Sequence, residues 1–227
     1  AHRGGAAGID DMTMELFDDI DMHARNEPIA PGATLLRGYA RDDAAALLDA
    51  LDGVTRQAPF RRMVTPGGLT MSVAMTNCGA FGWVSDRRGY RYAAVDPEGG
   101  RPWPALPASF RRLAQDAASA AGHAAFEPDA CLVNRYEPGA KLSLHQDADE
   151  RDYTQPIVSV SLGVPATFLF GGTRRADKTQ RIALADGDVV VWGGPARMRF
   201  HGVLPLKDGQ HPRLGAQRIN LTFRKAG

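Results

Sequence analysis

From about residue 128 onward, apolar and polar residues alternate in short runs: "ACLVNRY", "KLSLHQD", "IVSVSLG", "ATFLFGG", "RIALADGDVVVWGG", "RMRFHGV" and "RINLTFR". A period of two puts successive side chains on opposite faces of a strand, and the Gly, Pro or Asp between most runs predicts turns. The "ADGD" within the fifth run reads as a hairpin turn. Strands at this spacing predict a sandwich or barrel. Upstream, "RDDAAALLDALDGVTRQA" is rich in alanine and leucine and predicts a helix, with Asp42 or Asp43 placed to cap it. A second helix is predicted at "LPASFRRLAQDAASAAG", with Pro107 in the first turn and Gly122 as the stop. Between the helices, residues 61–104 combine Gly, Pro and aromatics with short β-prone pieces, which predicts hairpins and loops laid over a scaffold. The chain therefore reads as α+β, mainly β, its strands braced by N-terminal helices.

The alternation also sorts the polar residues. In "KLSLHQD", strict alternation places Lys141, Ser143, His145 and Asp147 on one face and Leu142, Leu144 and Gln146 on the other. His145 and Asp147, at i and i+2, can converge on one point. A histidine from a distant strand would complete two imidazoles and one carboxylate on one side of a metal, the facial arrangement of non-haem Fe(II) oxygenases. His2 and His23 fall near the N-terminus, His123 follows a helix stop, and His211 precedes a proline in a loop. His201, in "MRFHGV", is the histidine on a strand-like segment, so the triad is assigned to His145, Asp147 and His201. Read alone, the His145–Asp147 pair fits a hydrogen-bonded surface or core histidine equally well. In "RINLTFR", Arg218, Asn220, Thr222 and Arg224 share one face, and Ile219, Leu221 and Phe223 the other. The arginines either face solvent or line a cavity holding an anion, where their planar forks suit a dicarboxylate. Asn134 and Tyr136 share a face of "CLVNRY" and offer further hydrogen bonds.

Composition adds bounds. The 227 residues are 44% hydrophobic and 23% charged, as in ordinary globular proteins, and no run approaches the roughly 20 apolar residues of a membrane helix. No secretory signal is expected from "AHRGGAAGID", and two cysteines without metal spacing, Cys78 and Cys131, point to a reducing compartment, the cytoplasm. Net charge is +1, but Arg3 and Arg25 against Asp10, Asp11, Glu15, Asp18, Asp19, Asp21 and Glu27 give residues 1–30 a balance of −5 and leave +6 on the rest. Residues 1–30 therefore read as an acidic, poorly ordered tail, with one short helix near "DDMTMELFDDI", ahead of a single domain over 31–227. The basic body, with arginine doublets at Arg61–Arg62, Arg87–Arg88, Arg111–Arg112 and Arg174–Arg175, suits a polyanion partner or an ordinary solvated surface.

Taken together, "HQD" with the downstream "FHGV", the terminal "RINLTFR", "NRYEPGAKLSLHQD" and "MVTPGGLTMSVAMTNCG" resemble the AlkB group of Fe(II)/2-oxoglutarate dioxygenases over about residues 30–227. The resemblance implies a double-stranded β-helix, or jelly-roll, core over about 128–227 and a nucleotide-recognition lid over about 61–104. It implies Fe(II) on His145, Asp147 and His201, with O2 as cosubstrate. It further implies 2-oxoglutarate held by Arg218 at its far carboxylate with Tyr136 and Asn220, and by Arg224 and Asn134 at the metal-proximal end. The implied activity is hydroxylation of N-alkyl groups on 1-methyladenine and 3-methylcytosine, in DNA and also in RNA. Formaldehyde is released while 2-oxoglutarate becomes succinate and CO2. Trp83 would stack on the flipped base opposite His145, Asp149 would receive the exocyclic amine, and Tyr90, Lys141 and Arg175 would sit near phosphates or base edges. Single-stranded DNA is the expected partner of a monomer. Trp103 is expected to be structural, and Trp192 either lines the cavity or packs in the core.

Three rival readings differ in cofactor or target. An oxygenase of the same fold acting on a protein or small molecule would not need the aromatic lid. A non-catalytic nucleic-acid binder would not need an intact triad. A zinc hydrolase would leave the Arg218 strand unexplained.

Overall fold

The computed structural model describes residues 26–227. Among them run β1 (Asn26–Ala30), β2 (Ala33–Leu36), α1 (Ala44–Gln57), β3 (Ala74–Gly79), β4 (Gly82–Asp86), β5 (Gly89–Ala93) and α2 (Ala108–Ala120). The chain continues through β6 (Ala130–Tyr136), β7 (Leu142–His145), β8 (Ile157–Gly163), β9 (Ala166–Phe170), β10 (Gln180–Leu184), β11 (Val189–Trp192), β12 (His201–Val203) and β13 (Arg218–Arg224). A seven-stranded sheet has the order β1-β2-β11-β8-β13-β6-β3 and a four-stranded sheet the order β10-β9-β12-β7, while β4 and β5 form a separate hairpin. None of the described helices is long and apolar enough to cross a membrane.

The larger sheet is buried on both faces. Its outer face, with Val133, Val160, Val191, Ile219, Leu221 and Phe223, packs under α1 and α2. Its inner face, with Leu132, Tyr136, Ile157, Val190 and Trp192, meets Phe168, Phe170, Ile182 and Val203 of the smaller sheet. These two facing sheets are the expected jelly roll. Along β13 the apolar residues thus turn toward the helices, and the Arg218, Asn220, Thr222 and Arg224 face turns into the interior. Of the two readings of those arginines, the solvent-facing one is excluded, since both are buried.

Leu47, Leu48, Leu51 and Val54 bury one stripe of α1, but Asp43 makes no side-chain cap bond and already has helical backbone angles. Core burial rather than a cap fixes that end. Gly122 does stop α2: at φ +87° its N–H donates to the Ser119 carbonyl (3.0 Å), and the His123 N–H reaches back to Ala118 (2.8 Å).

Several expectations shift. Residues 1–25, with His2, His23 and the expected short helix, lie outside the described residues. Residues 26–30, expected in the tail, form β1 against β2, where Ile29 and Ala30 pack on the inner core and Pro28 is tolerated at a sheet edge. The "ADGD" stretch does not close a hairpin. β10 pairs with β9 in the smaller sheet and β11 lies between β2 and β8 in the larger, so these residues carry the chain across the sandwich. Asp188 fixes the crossing, its carboxylate accepting from Gly38, Ala185 and Arg37. Within residues 61–104, β3 belongs to the larger sheet, with Cys78 directly opposite Cys131, both free and buried, which leaves β4–β5 as the overlying hairpin. The core likewise extends beyond residues 128–227 by recruiting β1, β2 and β3.

Candidate active site

Strict alternation fails along β7. His145 pairs with His201 and Leu142 with Val203, so three steps of β7 oppose two of β12. This bulge puts Leu142 on the same side as His145, and Leu142 packs against the inner core. It also places the two imidazoles directly opposite each other, ring centroids 4.4 Å apart. Gly202 allows the approach, since a Cβ there would lie 2.7 Å from the Leu142 carbonyl oxygen. Asp147, just past the strand, lies with its oxygens 3.7 Å from His145 Nε2 and 3.6 Å from His201 Nε2. One ligand atom from each of the three residues lies within 4.8 Å of the others.

The rings are oriented from behind. His145 Nδ1 donates to the Ser143 carbonyl (2.8 Å) and His201 Nδ1 to the Arg199 carbonyl (3.1 Å), leaving both Nε2 lone pairs toward Asp147. Burial first, and then the neighbouring His145, push the His201 pKa down to about 4 against the pull of Asp147, so its ring is neutral at neutral pH. Burial disfavours the Asp147 carboxylate, but Arg224 and the two histidines outweigh it and hold the group ionised. Two imidazole nitrogens and one carboxylate oxygen, gathered on one side, are a donor set that could hold a divalent metal.

Beyond the triad, β13 and β6 line the interior through direct cross-strand pairs, Arg218 with Tyr136 and Asn220 with Asn134. Arg218 is 2% exposed, and its Nη2 donates to Ser161 Oγ (2.9 Å). Its guanidinium lies 4.9 Å over the Tyr136 ring, and among the described residues Nε and Nη1 have no hydrogen-bond partner. Burial pushes the Tyr136 hydroxyl above its ordinary pKa, so it remains a neutral donor. Asn134 Nδ2 donates to Asn220 Oδ1 (3.2 Å), and Asn220 is anchored to Ser159 Oγ and the Val160 carbonyl. Arg224, expected at the metal-proximal end of a cosubstrate, holds Asp147 through Nε (3.1 Å) and Nη2 (2.8 Å). Of the two expectations for Trp192 the structure shows the core: it is buried in the inner core, with its ring 4.9 Å from that of His201.

The hairpin stands beside this centre. Trp83 Nε1 donates to Asp149 Oδ2 (2.7 Å), and the Trp83 ring stacks on Tyr90 at 5.5 Å with 13° between planes. Arg175, exposed, donates to the Leu144 carbonyl next to His145 (2.7 Å) and lies over Phe200. Lys141 is exposed, its backbone tied to Ser72 on both sides. Trp103 is structural as expected, buried and donating to Ala93 at the hairpin base. His123 and His211 lie apart from the triad, His123 at the end of α2 and His211 beside Asp186. Two open surface cavities, about 590 and 230 Å³, flank the hairpin and are lined by none of His145, Asp147 and His201.

Sequence reading missed Glu150, Arg197 and Ser161. Glu150 and Arg197 are buried and paired (2.9 Å), and no local pattern in the sequence marks them.

Comparison with known proteins agrees with this geometry. The family model described as the 2OG-Fe(II) oxygenase superfamily matches residues 32–224. The alpha-ketoglutarate-dependent dioxygenase AlkB of Salmonella typhimurium is 64% identical over 200 residues, covering 88% of this chain and 93% of that protein. The protein of the same name from Escherichia coli K12 is 56% identical over 214 residues, covering 94% and 98%. The solved structure of OsALKBH1 superposes with a TM-score of 0.77 at 30% identity, covering 88% of this chain and 100% of that one.

Proposed function

The chain belongs to the 2OG-Fe(II) oxygenase superfamily, in its AlkB group, and from that premise we propose that it strips N-alkyl groups from damaged nucleobases through the residues gathered around Asp147. It is an Fe(II)- and 2-oxoglutarate-dependent dioxygenase. The observation that carries the residue assignment is the buried Arg218 guanidinium, two of its N–H groups unpartnered, in the interior of the sandwich that carries the His145–Asp147–His201 cluster. An uncompensated buried cation is costly, and a small dicarboxylate relieves it.

His145, Asp147 and His201 would hold the iron. Arg218, with Tyr136 and Asn220, would grip the far carboxylate of 2-oxoglutarate, and Arg224 and Asn134 would contact its metal-proximal end. Arg224 also holds Asp147 in place. When bound, Fe(II), 2-oxoglutarate and O2 supply the two-electron oxidation of a C–H bond, with succinate and CO2 as coproducts. The chain's own residues select which C–H bond. Trp83, braced by Tyr90, offers a flat face to a flipped base, worth about 1–3 kcal/mol in stacking, with further attraction for a cationic base such as 1-methyladenine or 3-methylcytosine. Asp149 accepts the exocyclic amine of that base. The exposed Lys141, Arg175 and Tyr90 serve the phosphates and base edges of a single-stranded DNA, and RNA is a second substrate of the same chemistry. The hydroxylated methyl group then leaves as formaldehyde, restoring the ring nitrogen. The chain works as a monomer in the cytoplasm, where Cys78 and Cys131 stay reduced.

The test is turnover of an oligonucleotide carrying 1-methyladenine by anaerobically purified protein given Fe(II), 2-oxoglutarate and O2. Formaldehyde and restored adenine are expected. Succinate without restored adenine would move the substrate to a protein or small molecule and leave the dioxygenase in place. His145→Ala is expected to reduce turnover below detection, because removing one ligand from a three-residue metal site leaves too few.

A further inference from the structure

Trp83 and Tyr92 are directly opposite each other on the β4–β5 hairpin, and each donates one hydrogen bond to one of two adjacent acids. Trp83 Nε1 reaches Asp149 on the exposed side, and the Tyr92 hydroxyl reaches Glu150 Oε1 (2.7 Å) on the buried side. The Glu150 carboxylate is then shared between two buried arginines. Its Oε2 pairs with Arg197 Nη2 (2.9 Å) and its Oε1 with Arg224 Nε (3.3 Å). Both arginines continue to one residue. Arg197 Nη1 donates to the Asp147 backbone carbonyl (2.8 Å), and Arg224 donates twice to the Asp147 carboxylate. The Glu150 and Arg197 side chains are 2% and 3% exposed, so these bonds are little screened by water.

We propose that Glu150 is a positioning residue that couples the hairpin to the metal-binding carboxylate, so that metal loading at Asp147 and docking of the hairpin favour each other. This rests on the reading of Asp147 as a metal ligand. Glu150 touches no reacting atom. It fixes Asp147 from two directions, main chain and side chain, and its one bond to the hairpin comes from Tyr92. The net charge of Asp147, Glu150, Arg197 and Arg224 is balanced, so neutralising Glu150 leaves an excess buried cation and frees Arg224 to swing. Reciprocity is thermodynamic: whatever the metal does to the hairpin, the hairpin does to metal affinity by the same factor.

The experiment is hydrogen–deuterium exchange of the full chain, with and without Mn(II) and 2-oxoglutarate under nitrogen, read on peptides spanning residues 82–93, alongside Mn(II) titration. In the wild type, loading is expected to slow exchange in the hairpin. Tyr92→Phe, which removes a single hydroxyl, is expected to lose most of that response. Glu150→Gln is expected to lose it and also to weaken Mn(II) binding about 10- to 100-fold, the usual effect of losing an outer support of a ligand. A wild-type hairpin indifferent to Mn(II), or a Tyr92→Phe response equal to wild type, overturns the coupling. Mn(II) that fails to bind the wild type, or binds His145→Ala equally well, sinks the metal assignment itself, a result distinct from the first two. Failure to release formaldehyde from the methylated oligonucleotide, with the exchange response intact, sinks only the substrate.

Discussion

A guanidinium enclosed in a low-dielectric interior with two N–H groups unpaired costs on the order of 1–3 kcal/mol per missing bond, and Arg218 is in that position. A carboxylate of the cosubstrate would supply both bonds at once in the bidentate geometry that arginine favours. Tyr136 cannot do so, because it offers a single hydroxyl oxygen and its ring lies under the guanidinium. Arg218→Ala is therefore expected to raise the 2-oxoglutarate KM at least about 30-fold, corresponding to about 2 kcal/mol, the lower end for truncating a buried charge pair. Affinity for single-stranded oligonucleotide should move by less than about threefold, as Arg218 lies inside the sandwich. Parallel losses in steady-state kinetics and in a gel-shift or anisotropy titration would contradict the assignment.

At the level of elements, β6, β8 and β13 begin and end where the runs "ACLVNRY", "IVSVSLG" and "RINLTFR" place them, because regular antiparallel pairing keeps their alternation unbroken. The period-two rule thus set Arg218 with Asn220, and Asn134 with Tyr136, on common faces. It erred at β7, where the bulge adds a residue that no local pattern records, and at "ADGD", whose turn chemistry is the same whether the next strand joins its own sheet or the facing one. Glu150 and Arg197 were illegible for a related reason: their partners lie 47 residues apart in the chain and only the fold brings them together. The bulge carries a testable consequence. Gly202→Ala would drive a Cβ against the Leu142 carbonyl and push β7 from β12, separating His145 from His201. Mn(II) affinity should fall at least about tenfold, by titration, while the far-UV circular dichroism stays that of the wild type. The α2 face gives a stability counterpart. Phe110 meets Phe223 edge-on at 5.9 Å beneath the helix, and Phe110→Ala should cost about 3–5 kcal/mol in urea unfolding with no direct effect on the triad.

For the whole molecule, the buried and incompletely partnered Arg218 makes the unliganded protein less stable than it need be. Arg218 must be desolvated on folding, and Ser161 returns only one of its bonds. Replacing a buried, poorly compensated charge by an apolar side chain of similar volume is often neutral or stabilising. Arg218→Met, without ligands, is therefore expected to unfold at or above the wild-type temperature. The order reverses with ligands. Mn(II) and 2-oxoglutarate, each at about 100 times its dissociation constant, should each stabilise the wild type by about 2.7 kcal/mol, together roughly 10–20 °C in a domain of this size. Arg218→Met should gain only the part due to the metal, since its triad is untouched but its diacid grip is gone. Differential scanning calorimetry of both proteins, with Mn(II) alone and with Mn(II) plus 2-oxoglutarate, separates the two contributions. A wild type that gains nothing from 2-oxoglutarate beyond Mn(II), or an Arg218→Met that gains as much, would mean that the buried guanidinium serves the fold rather than the cosubstrate.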